Sequence, residues 1–150
     1  MQKMNRGLLL LVVAAASVSA QDVFSTCALA LQSLDYNMEV TVATCTKKYS
    51  TALQSYNTNP NCSWFVGPAF PNAEVCDPIV IGFNKCLLKT TGLLKADGSF
   101  DDAAFKKTAL QNKCSSDAKF STAYQPCRDS TRKYLNYNRF LYCLWDQVNI

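Results

Sequence analysis

Residues 97–102, with the sequence DGSFDD, concentrate side-chain oxygens that could bind a cation or carry acid–base chemistry. A calcium loop of the EF-hand type needs oxygen ligands at alternate positions, a glycine at the sixth and a bidentate glutamate at the twelfth. If Gly98 is the sixth residue, the first, third and twelfth positions are Leu93, Lys95 and Ala104. The sequence therefore excludes a calcium loop of this type.

Catalysis by the same carboxylates is also disfavoured. Asp101 and Asp102 are expected in the first turn of a helix, where the helix dipole favours negative charge, and Asp97 precedes a glycine as in a turn. The chain contains no histidine and only two glutamates, Glu39 and Glu74, which leaves few groups for acid–base or nucleophilic chemistry. We therefore predict a protein that is not an enzyme and has no cofactor.

Cysteine is the other residue type that could do chemistry, and its number is even. An even number of cysteines in a secreted chain predicts disulfides, here four. The absence of histidine and of any CxxC pair argues against a metal site. The eight positions are Cys27, Cys45, Cys62, Cys76, Cys86, Cys114, Cys127 and Cys143.

The first twenty residues have the pattern of a secretory signal peptide. Lys3 and Arg6 precede an apolar run, and the small residues Val18–Ala20 form a cleavage site. We predict cleavage after Ala20, one secreted domain over residues 21–150, and an extracellular location. That segment has 13 basic and 11 acidic residues in scattered positions, so no nucleic-acid partner is expected.

Apolar residues recur every three or four positions from Val23 to Tyr56, which predicts one helical face. Asp22 can cap its start, and weak helix formers within 35–42 predict a break or bend. The proline-containing segment 57–75 is predicted to be a loop whose aromatic residues fold back over the core.

The same loop contains a glycosylation sequon, Asn61-Cys62-Ser63, so Asn61 is a candidate N-glycosylation site. A middle cysteine that belongs to a disulfide lowers the expectation that the sequon is used.

Beyond the loop, Asp77 is expected to cap a helix that has Pro78 in its first turn, faces Asn84 outward and ends at Gly92. Ser99 resembles the first residue of a capping box for a helix over about 100–113.

Two more helices complete the predicted fold. A short helix from about Asp117 is expected to run into Pro126, and the last helix is expected from about Arg128. The sequence thus predicts an all-α fold: a single disulfide-stapled domain of five to six helices.

The stretch CLLKTTGLLKADGSFD at 86–101, followed by Cys114, Cys127 and Cys143, resembles the insect odorant-binding proteins of the pheromone/general odorant-binding type. In that family the helix that carries the third cysteine ends in a Gly-Leu-Leu sequence, and a turn and a new helix follow. The resemblance covers about residues 76–146. Gly82 stands where the family has a cysteine, the gap from Cys127 to Cys143 is longer, and two additional cysteines are present.

The resemblance implies a disulfide pairing and a function. The family's interlocked pattern, transferred to this chain, gives Cys45–Cys86, Cys76–Cys127 and Cys114–Cys143, with Cys27–Cys62 as an additional bond. It also implies a secreted carrier with an apolar cavity, a small hydrophobic ligand such as an odorant, pheromone or lipid-like molecule, and a membrane receptor as a possible further partner. No metal is expected.

The expected cavity lining is the set of apolar and aromatic residues on inward faces. These residues could equally form an ordinary helical core, and that alternative stays open. A secreted helical effector or interaction protein of venom, saliva or seminal type, without a small-molecule ligand, is the second functional hypothesis. The candidate ligand-binding residues are Phe65, Phe70, Phe83, Leu87, Phe105, Tyr124, Phe140, Leu141 and Trp145.

Overall fold

The computed structural model describes residues 24–36, 39–62 and 71–149, and its secondary structure is almost entirely helical. The α-helical segments are α1 (Thr26–Tyr36), α2 (Glu39–Lys48), α3 (Ser50–Thr58), α4 (Ala73–Cys76), α5 (Ile81–Thr90), α6 (Asp102–Ala104), α7 (Ala118–Thr131) and α8 (Tyr137–Asn149). A 3-10 turn, Asp77–Val80, precedes α5, and a π turn, Phe105–Ala109, follows α6.

The predicted all-α, disulfide-stapled domain is confirmed. The described residues contain six helices of nine or more residues, in agreement with the five to six predicted. The last two helices, α7 and α8, pack closely against each other, α1 packs on α8, and α2 packs on α5. None of the described helices is long and apolar enough to cross a membrane.

The apolar periodicity of the first half forms the inner faces of α1, α2 and α3. Cys27, Leu31, Leu34, Cys45 and Tyr56 are all buried, as the three-and-four spacing predicts. The first helix is capped by the Ser25 hydroxyl, which accepts a hydrogen bond from the Ala28 backbone N–H at 3.0 Å. The predicted cap at Asp22 and part of the predicted break, residues 37–38, lie outside the described residues.

All eight cysteines form disulfides, but three of the four bonds implied by the resemblance are wrong. The bonds are Cys27–Cys114, Cys45–Cys86, Cys62–Cys76 and Cys127–Cys143. Only Cys45–Cys86 agrees with the transferred pattern; Cys76–Cys127, Cys114–Cys143 and Cys27–Cys62 do not form.

The difference has a geometric cause. The antiparallel packing of α7 and α8 brings Cys127 to Cys143, and their Cα atoms are 5.6 Å apart. The turn at Cys62 lies beside α4, where the Cys76 sulfur also lies 3.3 Å from the Asn61 carbonyl oxygen. Cys62–Cys76 and Cys127–Cys143 therefore join cysteines that are close in sequence, and Cys27 pairs with Cys114, 87 residues away.

The start of α5 differs from the prediction. Pro78 lies in the first turn of a 3-10 helix as expected, but Asp77 does not cap the helix. The Asp77 carboxylate instead accepts hydrogen bonds from a side chain on α8 and from the residue directly before α8. Asn84, predicted to face outward, is buried, and its side chain lies 3.4 Å from the Tyr134 carbonyl oxygen.

Gly82 and Gly92 have different roles at the two ends of α5. A Cβ atom at Gly82 would lie 2.6 Å from Cε1 of Tyr49, so any larger residue there requires the Tyr49 ring to move. Gly92 ends the helix as predicted, with a φ of +72° and with backbone hydrogen bonds from Gly92 to Lys89 and from Leu93 to Leu88. This is the Schellman pattern of a helix C-terminus.

The predicted turn at residues 97–98 is confirmed. Gly98 has a φ of +80°, and its N–H donates to the Lys95 carbonyl at 3.0 Å. The expected capping box is wrong, because Asp101 and not Ser99 is the cap: its carboxylate accepts from the Ala104 N–H at 2.9 Å. The Ser99 hydroxyl instead donates to Asp97. Within the range 100–113, where one helix is predicted, only α6 and the π turn are helical.

The predicted helix boundary at Pro126 is also wrong, because α7 continues through Pro126 to Thr131. A proline inside a helix removes one backbone hydrogen bond. The capped start at Asp117, which accepts from the Phe120 N–H at 2.9 Å, and the Cys127–Cys143 bond hold the helix on both sides of this residue. The last helix begins at Tyr137 instead of near Arg128.

Candidate functional site

A cluster of aromatic rings occupies the centre of the described structure. Phe105 has no exposed surface, and its ring centroid lies 5.2 Å from that of Phe140 and 6.2 Å from that of Tyr124. Phe100 adds a further contact, 5.5 Å from Phe140. Aromatic pairs at these separations have favourable edge and offset contacts. The rings therefore fill the space between α6, α7 and α8.

The void beside this cluster is small. It is bounded by Leu88, Phe100, Thr131 and Phe140, among others, and has a volume of about 10 Å³. A single water molecule requires about 10–15 Å³. This void therefore cannot hold an organic ligand without rearrangement of the rings.

The predicted lining residues fall into four groups. Phe105, Tyr124 and Phe140 contact one another, whereas Phe83, Leu87 and Leu141 are buried elsewhere in the same core. Trp145 is half-buried and lies 5.9 Å from the exposed Phe24 ring. Phe65 and Phe70 lie outside the described residues. The role of the set as ligand contacts stays a prediction.

A polar network at the edge of the aromatic cluster joins α6 to α7. Oδ1 of Asp102 accepts from the Tyr124 hydroxyl at 2.7 Å and from Nε of Arg128 at 3.1 Å. Burial, and then the hydrogen bond to Asp102, raises the pKa of Tyr124, so this hydroxyl remains a neutral donor. The guanidinium carbon of Arg128 lies 4.7 Å from the centre of the Phe100 ring.

A groove open to solvent runs along this network. Its volume is about 480 Å³, and its walls come from α5, the 92–101 turn and the C-terminal half of α7. The charged side chains on these walls are Lys85, Lys95, Asp97, Asp102, Arg128, Asp129, Arg132 and Lys133.

A second polar cluster, deep between the 71–80 segment and α8, is joined by internal hydrogen bonds. Arg139 contacts both carboxylate oxygens of Asp77 at 3.0 Å and donates to the Pro71 carbonyl at 2.8 Å. Asn136 donates to Asp77 at 2.8 Å. Asp77 is only 1% exposed, so this cluster has no surface for a ligand. It holds two parts of the fold together.

The oxygen-rich stretch 97–102 has structural partners for its carboxylates. Asp97 accepts from the Ser99 hydroxyl at 2.6 Å, and this contact, with the Ser99 N–H, lowers the pKa of Asp97. Within the described residues, no group of three histidine, cysteine, aspartate or glutamate side chains is placed to hold a metal ion. Asn61 is exposed, and glycosylation there stays a prediction.

Sequence reasoning missed both arginines that the fold buries. Arg128 lies on α7 with Tyr124, Cys127 and Thr131, all on the buried face. Arg139 lies on α8 one residue before the buried Phe140. The available signal was a charged residue at a helix position that the apolar spacing places inside, where arginine is rare unless it is paired.

Helix packing, disulfides and the filled centre define a disulfide-stapled all-α domain. No protein-family model, curated protein or solved structure matches the chain.

Proposed function

We propose that this chain is a secreted interaction protein that acts through its surface, with no hydrophobic ligand in its interior. The observation that carries this proposal is the packing of Phe105, Tyr124 and Phe140 ring against ring, with a void of about 10 Å³ beside them. A carrier needs an apolar pocket of about 300 Å³ or more. The void of about 10 Å³ that Phe140 lines is far smaller than this.

Two features support secretion. The N-terminal sequence has the charged, apolar and small-residue regions of a signal peptide. Four disulfides persist most readily in an oxidising compartment. Export of the full chain by a eukaryotic secretory cell, followed by N-terminal sequencing of the product, tests this part. The mature chain should begin at Gln21; retention of residues 1–20, or failure of export, contradicts it.

The interior is tested by titrating the oxidised mature protein with a fluorescent apolar probe, followed by displacement with fatty acids, terpenoids and long-chain alcohols. We expect no saturable binding at micromolar concentration, because the rings already occupy the core. Saturable binding that these compounds displace would overturn the proposal and favour the carrier.

The carrier is the second candidate, and one observation favours it. The half-buried Trp145 and the exposed Phe24 form an apolar patch where α1 meets α8. An apolar ligand that covered this patch would change the fluorescence of Trp145. The variant Trp145→Ala should then lose probe binding, whereas the exposed Tyr142→Ala on the same helix should retain it.

A further inference from the structure

Arg128 is a charged side chain that is nine-tenths buried and only partly paired. Its side chain is 10% exposed, and Nε donates to Asp102 at 3.1 Å. The two Nη groups, which carry four N–H donors, have no hydrogen-bond acceptor in the part of the chain that the structure describes, and both atoms reach solvent at the groove. These donors are therefore available to an acceptor that enters the groove.

The position of this guanidinium is fixed in advance of any ligand. The hydrogen bond to Asp102 fixes one edge of the guanidinium. The centre of the Phe100 ring lies 4.7 Å from the guanidinium carbon. The remaining edge belongs to the wall of the 480 Å³ groove. An arginine fork held in this way loses little side-chain entropy when it binds two oxygens of an anion.

The remaining charges around the groove also favour an anion. Lys85 and Arg132 make no side-chain hydrogen bond or ion pair within residues 24–36, 39–62 and 71–149, and Lys95 lies near Asp97. Lys133 is held by Glu74, which lies outside the groove wall.

The three carboxylates of the groove already have donors. Asp97 accepts from Ser99, Asp102 accepts from Tyr124 and Arg128, and Asp129 accepts from Gln125 at 2.9 Å. Five cations and three carboxylates line the groove, and because Glu74 neutralises Lys133, four cations against three carboxylates leave a formal charge of +1.

We propose that this groove, with Arg128 at its base and Lys85 and Arg132 on its walls, binds a phosphate or sulfate group. The Nη pair of Arg128 donates to two of the oxygens, and the flexible ends of Lys85 and Arg132 reach the outer oxygens. The site is independent of the proposed function, because it lies on the surface and does not require an internal cavity.

The experiment is a titration of the oxidised, isotope-labelled protein, with backbone amide signals followed by NMR at constant ionic strength. Inorganic phosphate, sulfate and phenyl phosphate are the three probes, and chloride is the reference salt. We expect saturable shifts, with a millimolar or lower dissociation constant, at residues 97–102 and 125–132. Phenyl phosphate distinguishes a group carried on a larger molecule from the free ion: tighter binding of the ester supports the carried group, and equal binding supports the free ion.

Variants locate the site. Arg128→Lys keeps the charge and removes the fork, and should weaken phosphate binding at least about tenfold. Arg132→Gln and Lys85→Gln, at exposed positions, should each weaken it about two- to fivefold. Lys119→Gln is the matched control, since Lys119 is exposed on the same helix but lines a different groove. It should leave binding unchanged.

Three results would overturn the proposal. They are the absence of saturable shifts with all three probes, shifts scattered over other lysines, and an equal effect of Lys119→Gln and Arg132→Gln. If Arg128→Lys does not fold, as judged by circular dichroism, the comparison of Arg132→Gln with Lys119→Gln decides the question by itself.

Discussion

The Asp77–Arg139 pair is the residue-scale contact on which α8 and the segment before α5 depend. The variant Arg139→Met leaves the Asp77 carboxylate buried without its counter-charge. Removing one partner of a buried pair costs about 3–5 kcal/mol. We therefore expect a loss of that size in the free energy of unfolding, measured by urea denaturation.

The exposed pair Lys133–Glu74 supplies the control for this prediction. Lys133→Met should change the urea midpoint little, because both partners are in water. The double variant Asp77→Leu/Arg139→Met should recover much of the stability, since no buried charge remains. An Arg139→Met protein as stable as the parent would show that the pair does not hold the fold.

Ionisation of Tyr124 makes the free energy of unfolding depend on pH in the alkaline range. The pKa of Tyr124 is raised above its ordinary value of 10.0 by burial and by the hydrogen bond to Asp102. Above about pH 10 the unfolded chain releases this proton and the folded chain keeps it. The unfolded state then binds fewer protons, so the free energy of unfolding falls as the pH rises; below pH 10 this contribution is fully present.

The measurement is urea denaturation of the parent protein and of Tyr124→Phe between about pH 8 and about pH 11.5. This range brackets the ordinary tyrosine pKa of about 10. The variant should be less stable at neutral pH, because it lacks the bond to Asp102, but should lose less stability on going to alkaline pH. Parallel curves for the two proteins would mean that Tyr124 ionises normally in the fold.

At the scale of elements, α5 lies close to the α2–α3 junction because residue 82 is a glycine with no side chain. In Gly82→Ala the new Cβ would lie 2.6 Å from the Tyr49 ring. Overpacking costs about 1–3 kcal/mol, and alanine returns about 1 kcal/mol of helix propensity, so we expect a net loss of about 1 kcal/mol.

A double-mutant cycle separates these two effects. In a Tyr49→Ala background the obstruction is absent, and Gly82→Ala should stabilise the protein by up to about 1 kcal/mol. The same sign in both backgrounds would exclude a close approach between α5 and Tyr49.

The element-scale predictions from sequence succeeded where the signal was local. The helix stop at Gly92 and the turn at Gly98 both require a positive φ, which glycine supplies. They failed where packing overrides a local preference. The sequence predicts a helix end at Pro126, but the helix continues to Thr131. It also predicts Asp77 as a helix cap, but the Asp77 carboxylate binds Arg139 instead.

At the scale of the whole molecule, the four disulfides should differ in their effect on stability. Cys27–Cys114 spans 87 residues and Cys62–Cys76 spans 14. Loop-closure entropy scales with the logarithm of loop length, so replacing the first pair by alanines should cost about 1.6 kcal/mol more than replacing the second. Urea denaturation of the two double variants measures this difference.

A peptide map of the non-reduced protein checks the same bonds directly. A peptide that joins Cys62 to Cys76, and another that joins Cys127 to Cys143, are expected. A map with Cys76 joined to Cys127 would contradict the structure and restore the interlocked pattern implied by the family resemblance.

The sequence by itself determined the helical class, the number of major helices and the presence of four disulfides. These depend on spacing along the chain and on residue counts, which need no knowledge of the tertiary structure. Only the tertiary structure decided which cysteines pair, that the aromatic rings fill the centre, and that Arg128 turns its free donors toward a groove. The reason is that each of these depends on residues far apart in sequence, whose meeting is fixed by how the helices pack.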